Sequence, residues 1–512
     1  MYNRDNITLK LHREARGKYI GKAMDDIALG GDTYTFEDAL LQQCLQEHPY
    51  LHPVEFREDL RWMLQQGFLQ IEGRRLYKNR LLICENTVAE RLATILPDNT
   101  LPQTDLPTTL AVGDTILTDE QRAGVVLALS HRLSILLGPA GSGKSTLIQA
   151  ISQQCTEKGR QVLCAPTGKA ARNLRDRTGC YASTIHGAVG IRPDEADVPV
   201  VWNHVPLVVI DEASMMTLEM LLWILERAPS FCRVVLVGDP HQLPSVGAGN
   251  VLSDLLTLGF PSVTLETIHR QEGGATALRT NIKRFHQLTH VDQLEEDDSF
   301  QFIQASRHEI SAKLCTQAVV AYQNGASTQV LSPYNKAGAL SAVALNAAIA
   351  PQVNPPLNKA SVTLYQHPQL CDGDRVIITK NSRAQDCCNG DVGVLHLDDM
   401  MGLYPIFSIH LPDGRTPTWR HTGHLRHVLP AYALTVHKSQ GSEYDTILFP
   451  VSPSASSMLT RNLLYTAISR AKKKVILIGD RDALHAAMQK APPARNSKLV
   501  AKTRMLLHRP SA

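Results

Sequence analysis

Leu133-Ser-Ile-Leu-Leu137 runs straight into Gly138-Pro139-Ala140-Gly141-Ser142-Gly143-Lys144-Ser145, and Thr146-Leu-Ile-Gln-Ala-Ile-Ser-Gln-Gln-Cys155 follows with helical spacing. An apolar strand, a loop of pattern G-x-x-x-x-G-K-[ST] and a helix, in that order, form a phosphate cradle. The glycines let backbone N–H groups turn inward around the phosphates. Lys144 brings a point charge to the β and γ oxygens, and Ser145 offers a hydroxyl to Mg2+. Gly138 to Thr146 are therefore the expected nucleotide-binding residues, with ATP and Mg2+ as the expected cofactors.

Short apolar runs continue on both sides of this loop. QVLCAPT, PLVVIDEA, RVVLVGD and SVTLE precede residue 270, and TQVLSP, TILFPV and KKVILIGD follow it. Continuous apolar strands between helices predict parallel sheets covered on both faces, in two α/β lobes in tandem. Asp211 and Glu212 end the strand LVVI, where an acidic pair at the C-terminal edge of a sheet faces the phosphate loop. Asp211 is expected to hold Mg2+, and Glu212 to take a proton from the attacking water. Phosphoryl transfer also needs cations on the developing γ-phosphate charge. Arg270 in TIHRQ and Arg470 in YTAISRAKK are the candidates, with an ordinary surface arginine as the alternative for each. Because Arg470 belongs to the second lobe, hydrolysis would depend on the lobes closing.

Before the first lobe, residues 1–30 are basic with little periodicity. FEDALLQQCL and PVEFREDLRWMLQQG then show helical spacing, FLQIEGRRLYKNRLL alternates like a hairpin, and NTVAERLATIL returns to helix. This order suggests a winged-helix-type module, either a packing domain or a wing that contacts DNA or a partner. PDNTLPQTDLP at 97–107 reads as a polar, Pro-rich linker. DQLEEDD at 292–298 reads as a solvated connection. Between 370 and 428, CDGDRVIITKN, the Asn389–Gly390 turn, DVGVLHL and YPIFSIHL break the α/β rhythm and predict an inserted β-barrel. The last segment, APPARNSKLVAKTRMLLHRPSA, has six Lys, Arg or His residues and no acid. Disorder is the expectation there, with a DNA or partner contact as the alternative.

Composition narrows the class. A net charge of +3, from 52 Lys+Arg against 49 Asp+Glu, is too balanced for a passive nucleic-acid coat but permits a local basic channel. Ten cysteines without a C-x-x-C pair argue against an iron–sulfur centre and fit a reduced, cytoplasmic protein. No apolar run approaches the roughly eighteen residues of a membrane span, and the N-terminus lacks the apolar core of a signal peptide. Aromatics at 5% argue against a long base-stacking platform, so a grip on phosphates is the better expectation.

The order of the remaining motifs resembles a superfamily 1 helicase, closest to its RecD-like branch, superfamily 1B, in a short form. Leu117-Thr-Asp-Glu-Gln121 resembles the Q motif, whose glutamine reads adenine. Ala165-Pro-Thr167-Gly-Lys-Ala-Ala171 resembles motif Ia, and Ser183-Thr-Ile-His186-Gly187 the element after it. Gly238-Asp-Pro-His-Gln242-Leu-Pro-Ser-Val-Gly247 resembles motif III, where the glutamine senses the γ-phosphate. Thr267-Ile-His-Arg270-Gln271 resembles motif IV, Ala433-Leu-Thr435-Val-His437-Lys438-Ser-Gln440-Gly-Ser-Glu443 motif V, and Leu464-Tyr-Thr-Ala-Ile-Ser-Arg470-Ala471 motif VI. The resemblance implies an α/β protein. Two tandem RecA-like P-loop lobes occupy 111–290 and 291–369 plus 429–490, with a small β-barrel inserted at 370–428. A winged-helix-like α+β module at 1–110 and a basic tail at 491–512 complete it.

The same resemblance implies ATP-driven 5′→3′ movement on single-stranded DNA or a tailed duplex, with motifs Ia and V touching the strand. Thr167, His186, Thr435, His437 and Lys438 are the matching positions. Capping or burial is the plainer reading of the two threonines, and ordinary hydrogen bonding that of the two histidines. Glu443 would reach the ribose. Two departures weaken strand separation relative to translocation. About 110 residues precede the Q motif, too few for the long N-terminal extension of the larger relatives, and the short segment between His186 and Val208 allows only a small pin. An RNA motor is one rival, disfavoured by the lack of cysteine-rich zinc modules. An ATPase subunit working with a nuclease or another protein partner is the other.

Overall fold

The computed structural model describes residues 17–102, 106–107, 109–155, 160–191, 200–268, 276–287, 294–325, 327–336, 338–357, 359–363, 368–398 and 406–508. Leu133–Leu137, buried along its whole length, is the second strand of a six-stranded parallel sheet. The order is Ser262–Thr264, Leu133–Leu137, Arg233–Gly238, Leu207–Ile210, Val162–Ala165, Ala182–Thr184. A strand covered on both faces has no polar side, which is why LSILL and LVVI read as unbroken apolar runs. One face packs on Val125, Leu147 and Ile151, and the other on Leu221, Ile224 and Leu255. The edge strand Ala182–Thr184 was hidden in sequence because it carries only a three-residue polar run.

The second lobe is a five-stranded parallel sheet in the order Phe300–Gln304, Ala471–Gly479, Tyr444–Val451, Thr328–Ser332, Ala433–Thr435. At its entry Glu295 to Asp298 are exposed, as a solvated connection should be, and the acids also make local bonds. Asp297 Oδ1 accepts from the Ser299 amide at 2.7 Å, Asp297 Oδ2 from Ala277 N at 3.0 Å, and Glu295 Oε1 from Arg284 at 2.9 Å. These acids cap turns and a helix start, roles that composition alone does not reveal. The insertion forms a five-stranded antiparallel sheet, Thr418–Trp419, Phe407–His410, Val392–Leu397, Arg375–Ile378, Val428–Pro430. Val376, Leu395, Phe407, Ile409 and Leu425 belong to its apolar core.

Helices Glu37–Glu47 and Pro53–Gln65, the hairpin Leu69–Glu72 with Arg75–Lys78, and helix Asn79–Ile95 follow the expected order. Residues 17–29 are also helical, with Ile20 and Met24 buried, where no periodicity had been seen. Asn79–Ile95 puts Cys84, Val88, Ala89 and Leu92 into the first lobe's core. The linker begins ordered: Asn99 Nδ2 donates to Leu133 O at 3.0 Å and Asn99 Oδ1 accepts from Leu133 N at 2.8 Å.

The expectation of a disordered tail is corrected. Leu499–Leu507 is a helix packed on Asn79–Ile95 and Val251–Leu258, with Leu499 and Thr503 fully buried. The Lys502 charge is neutralised locally. Lys502 Nζ lies 3.2 Å from Glu85 and 3.1 Å from Glu72. Glu85 is wholly buried and also accepts from Thr33 Oγ1 at 2.8 Å, Tyr77 at 3.2 Å and Lys498 N at 2.9 Å. A buried carboxylate is tolerated only with such a set of donors. Among the described residues no helix is long and apolar enough to cross a membrane.

Candidate nucleotide site and nucleic-acid path

Gly141 and Gly143 have φ of 85° and 84°, a left-handed backbone that folds the loop over the start of helix Lys144–Gln154. Lys144 is enclosed there, and its Nζ donates to Gly138 O at 2.7 Å and Pro139 O at 2.8 Å. Burial pushes its pKa down; Asp239, Glu212 and Asp211 pull it up, and Arg470 pushes it further down. Three carboxylates and one guanidinium therefore share the field of this ammonium, and Arg470 comes from the other lobe.

Asp211 leaves the strand Leu207–Ile210 with its carboxyl raised to about 6, first by burial and then by neighbouring Glu212. Glu212 has φ of 53°, one of two non-glycine residues in the left-handed region among those described. That backbone aims its amide at Asp211 Oδ1, 2.9 Å away. Strain of about 1–2 kcal/mol at such a residue is a mark of functional sites.

Motif III and motif VI meet across the lobes. Tyr465 donates from its hydroxyl to Asp239 Oδ2 at 2.6 Å, while the Ala140 amide of the phosphate loop bonds to the same hydroxyl. Asn462 Nδ2 donates to Gln242 O at 3.1 Å, Leu243 N to Thr466 Oγ1 at 2.8 Å, and Gln440 Nε2 to Leu243 O at 3.3 Å. Gln242 itself is buried, and its Oε1 has no hydrogen-bond partner. Arg470 is 3% exposed, with hydrogen bonds to Thr466 O and Ser469 Oγ, both 3.3 Å and both neutral. A buried guanidinium held only by neutral acceptors attracts an anion. Arg270 lies outside the described residues.

Gln121 is buried in a capping box: its Oε1 accepts from Thr118 N at 3.0 Å, and Thr118 Oγ1 accepts from Gln121 N at 3.3 Å. The side-chain NH2 remains as a donor. Glu443 of motif V takes an ion pair from Arg177 at 2.7 Å, and Arg177 also donates to Ser145 Oγ at 3.3 Å.

The proposed nucleic-acid contacts are placed less uniformly. Thr167 Oγ1 caps the helix Gly168–Thr178 by accepting from Ala170 N at 3.2 Å, and Thr435 Oγ1 accepts from Lys438 N at 3.2 Å. Capping uses an oxygen lone pair and leaves each hydroxyl proton free to donate. Lys438 is exposed on the turn His437–Ser439, and His437 is half-buried beside it. His186 stacks edge-on against Trp223, ring centroids 5.1 Å apart, and burial pushes its pKa down. His186 thus sits as a packed, partly buried ring.

Several residues of this cleft were not singled out in sequence. Asp239 and Tyr465 lie inside quoted motifs, so their position was available but not their pairing. Arg177, Asn462 and His286 carried no signal. The His286 ring packs 4.3 Å from that of His241, and its Nε2 is 3.6 Å from Asp239. The helix Gly168–Thr178 also binds the insertion, through Arg172 to Asp391 at 2.9 Å and Lys169 Nζ to Gly390 O at 3.3 Å.

Residues 116–305 match the AAA domain model, and residues 430–478 match the UvrD-like helicase C-terminal domain. The chain is 33% identical to the ATP-dependent RecD2 DNA helicase of Deinococcus radiodurans over 395 residues, 76% of this chain and 52% of that protein. It thus spans about half the length of that relative. It is 29% identical to the RecBCD enzyme subunit RecD of Mycolicibacterium smegmatis, over 83% of this chain and 82% of the relative. Bacteroides Pif1 bound to ssDNA superposes with a TM-score of 0.43 at 19% identity, covering 71% of this chain and 92% of that one. In sequence the chain is thus similar to RecD and RecD2 helicases over most of its length, in keeping with its motif order and paired parallel sheets.

Proposed function

We propose that this protein hydrolyses ATP in the cleft between its lobes and uses the cycle to move 5′→3′ along single-stranded DNA. The observation that carries the reading is the convergence on Lys144. Asp211, Glu212 and Asp239 of one lobe and Arg470 of the other act on the same part-buried ammonium, which is tethered to Gly138 O and Pro139 O. Ser145 and Asp211 would hold Mg2+, whose charge would offset the γ-phosphate. The buried, raised Asp211 carboxyl fits a residue awaiting a cation. The described residues contain no cluster of three or more metal-ligating side chains, so phosphate oxygens and water would complete the shell, as Mg2+ requires. Glu212 would accept the proton of the attacking water, Gln242 would report the γ-phosphate by donating to it from its side-chain NH2, and Arg270 and Arg470 would stabilise the transferring charge. The Gln121 NH2 would read adenine, and Glu443 the ribose.

Movement would follow from the cleft. Closing brings Arg470 to the nucleotide, and hydrolysis releases it. Thr167 at a helix N-terminus and Thr435, His437 and Lys438 in motif V would grip phosphates in alternation, a sequence-independent hold. His186 contributes less, as a ring packed on Trp223. We read the inserted sheet as a small barrel and the N-terminal module as winged-helix-like, on strand order and helix–hairpin–helix order respectively. Domain limits follow the ranges given above, with the tail helix joined to the first lobe.

Strand displacement with ATP on 5′-tailed, 3′-tailed and blunt duplexes tests polarity and unwinding together. Displacement confined to the 5′-tailed substrate is expected; displacement of only the 3′-tailed one would reverse the assignment. A second reading, an ATPase subunit of a larger complex, draws on the exposed Phe68 and Ile71 beside and within the N-terminal hairpin. Native size with identification of copurifying proteins separates it. Matched DNA and RNA oligomers in the ATPase assay separate a DNA motor from an RNA motor.

A further inference from the structure

The chain leaves the second lobe after helix Arg481–Gln489 and crosses back to the first lobe through residues 490–498. On this strap, Arg495 is half-buried and reaches into the motif III loop. One guanidinium nitrogen donates to Ser245 Oγ at 2.8 Å, Gly249 O at 2.6 Å and Gly247 O at 3.3 Å; the other donates to Ser245 O. The opposite side of the loop is held by the N-terminal helix and its exit, with Gly247 N on Leu29 O at 3.1 Å and Gly249 N on Gly31 O at 2.9 Å. Gly31 has φ of 109°, and a Cβ there would fall 2.2 Å from Arg495 Nε. The close approach of the guanidinium therefore requires glycine at that position.

All of these acceptors are neutral oxygens, and no carboxylate pairs with Arg495 among the described residues. A planar fork spent on backbone carbonyls fixes geometry. The strap has other anchors besides it. Asn496 N bonds Asp32 Oδ1 at 2.6 Å, Lys498 N bonds Glu85, and Leu499 is buried. The motif III loop thus has two holders. Asn462, Thr466 and Gln440 of the second lobe grip it at Gln242 and Leu243, and the strap grips it at Ser245 to Gly249. The Arg495 charge also reaches His437 of motif V, adding to the effect of burial in pushing that histidine's pKa down.

We propose that Arg495 is a positioning residue that sets the motif III loop, and with it Gln242, according to the separation of the two lobes. The strap is fixed to the second lobe before residue 490 and to the first lobe after residue 495. A change in lobe separation therefore pulls on the far end of the loop that carries Gln242. This rests on the ATPase reading above.

Steady-state ATP hydrolysis with and without single-stranded DNA tests it on full-length Arg495→Ala, Arg495→Lys and Asn496→Ala, each with a thermal midpoint. Arg495→Ala should lower DNA-stimulated kcat by between about tenfold and about a hundredfold while the KM for ATP changes by less than about twofold. Arg495→Lys restores charge without the fork and should recover part of kcat. Asn496→Ala removes the side-chain bond from Asn496 Nδ2 to Asp32 Oδ2, 3.3 Å long, from the neighbouring anchor and should keep wild-type kcat. Wild-type kcat and DNA stimulation in Arg495→Ala would overturn the proposal, as would an equal loss in Asn496→Ala. If Arg495→Ala does not fold, Arg495→Lys decides: reduced kcat at a near wild-type midpoint supports the proposal, and wild-type kcat overturns it. A wild-type protein that hydrolyses no ATP would instead overturn the ATPase reading and this inference with it.

Discussion

The Tyr465 hydroxyl donates to Asp239 Oδ2 across 2.6 Å, joining the second lobe to the first through two almost wholly buried side chains. Asp239 also accepts from His241 N at 3.0 Å and lies in the field of Lys144. Burial and this carboxylate hold the Tyr465 phenol well above its ordinary pKa, so it stays a donor at any working pH. The contact therefore records lobe closure at the phosphate loop itself.

Tyr465→Phe keeps the ring and removes only that donor. It should cost about 1–3 kcal/mol of stability, because Asp239 loses a partner in a buried site. ATP turnover should fall with it. Urea unfolding midpoints alongside steady-state hydrolysis check both; an unchanged midpoint would mean that water or another donor replaces the hydroxyl.

Glu212→Gln preserves shape and removes the proposed base. The expected loss in kcat is about 10²–10⁴-fold, with nucleotide affinity little changed. Single-turnover hydrolysis beside equilibrium binding of a fluorescent nucleotide distinguishes this from a binding defect. A variant that hydrolyses at nearly the wild-type rate would remove Glu212 from the proton-accepting role.

Asp211 predicts a pH signature. Burial lifts its carboxyl from 3.8 to about 6, so folding favours the protonated form. That stabilisation is complete below the unfolded pKa and is lost as pH rises through about 6. Without nucleotide, Asp211→Asn should therefore exceed wild-type stability at pH 8 by about 1–3 kcal/mol and match it near pH 4. Adding Mg2+ and nucleotide should narrow the gap by occupying the wild-type carboxylate. Parallel unfolding curves at every pH would refute the assignment.

Asp391 sits between Arg172 at 2.9 Å and Arg415 at 3.3 Å, with side chains 7%, 11% and 21% exposed. Asp391→Asn removes the carboxylate the two guanidiniums share but leaves Arg172 with Asp386 and Arg415 with Asp413, so a loss of about 1–3 kcal/mol is expected. The insertion should detach from the motif Ia helix first, seen as faster proteolysis within residues 379–392. Equal cleavage rates in both proteins would show that the contact does not hold the insertion.

What sequence could reveal followed the range over which each feature acts. Lys144, Ser145, Asp211 and Glu212 declare themselves because strand, loop and acidic pair are contiguous, and contiguity fixes their placement on a parallel sheet. Tyr465 and Asp239 are 226 residues apart, and nothing local marks them as partners. The tail misled for a different reason. Its six cationic residues suggested disorder, yet Leu499, Thr503 and Leu506 share one helical face, and that spacing was present to be seen. The helix at 17–29 and the edge strand Ala182–Thr184 are too short or too polar to stand out from a single chain.

ATP hydrolysis by the full-length wild-type and Lys144→Ala proteins, with and without single-stranded DNA, tests the central claim most directly. The account predicts wild-type turnover that rises on adding DNA, and a Lys144→Ala variant with essentially none under either condition. DNA-stimulated hydrolysis that persists unchanged in Lys144→Ala would contradict it.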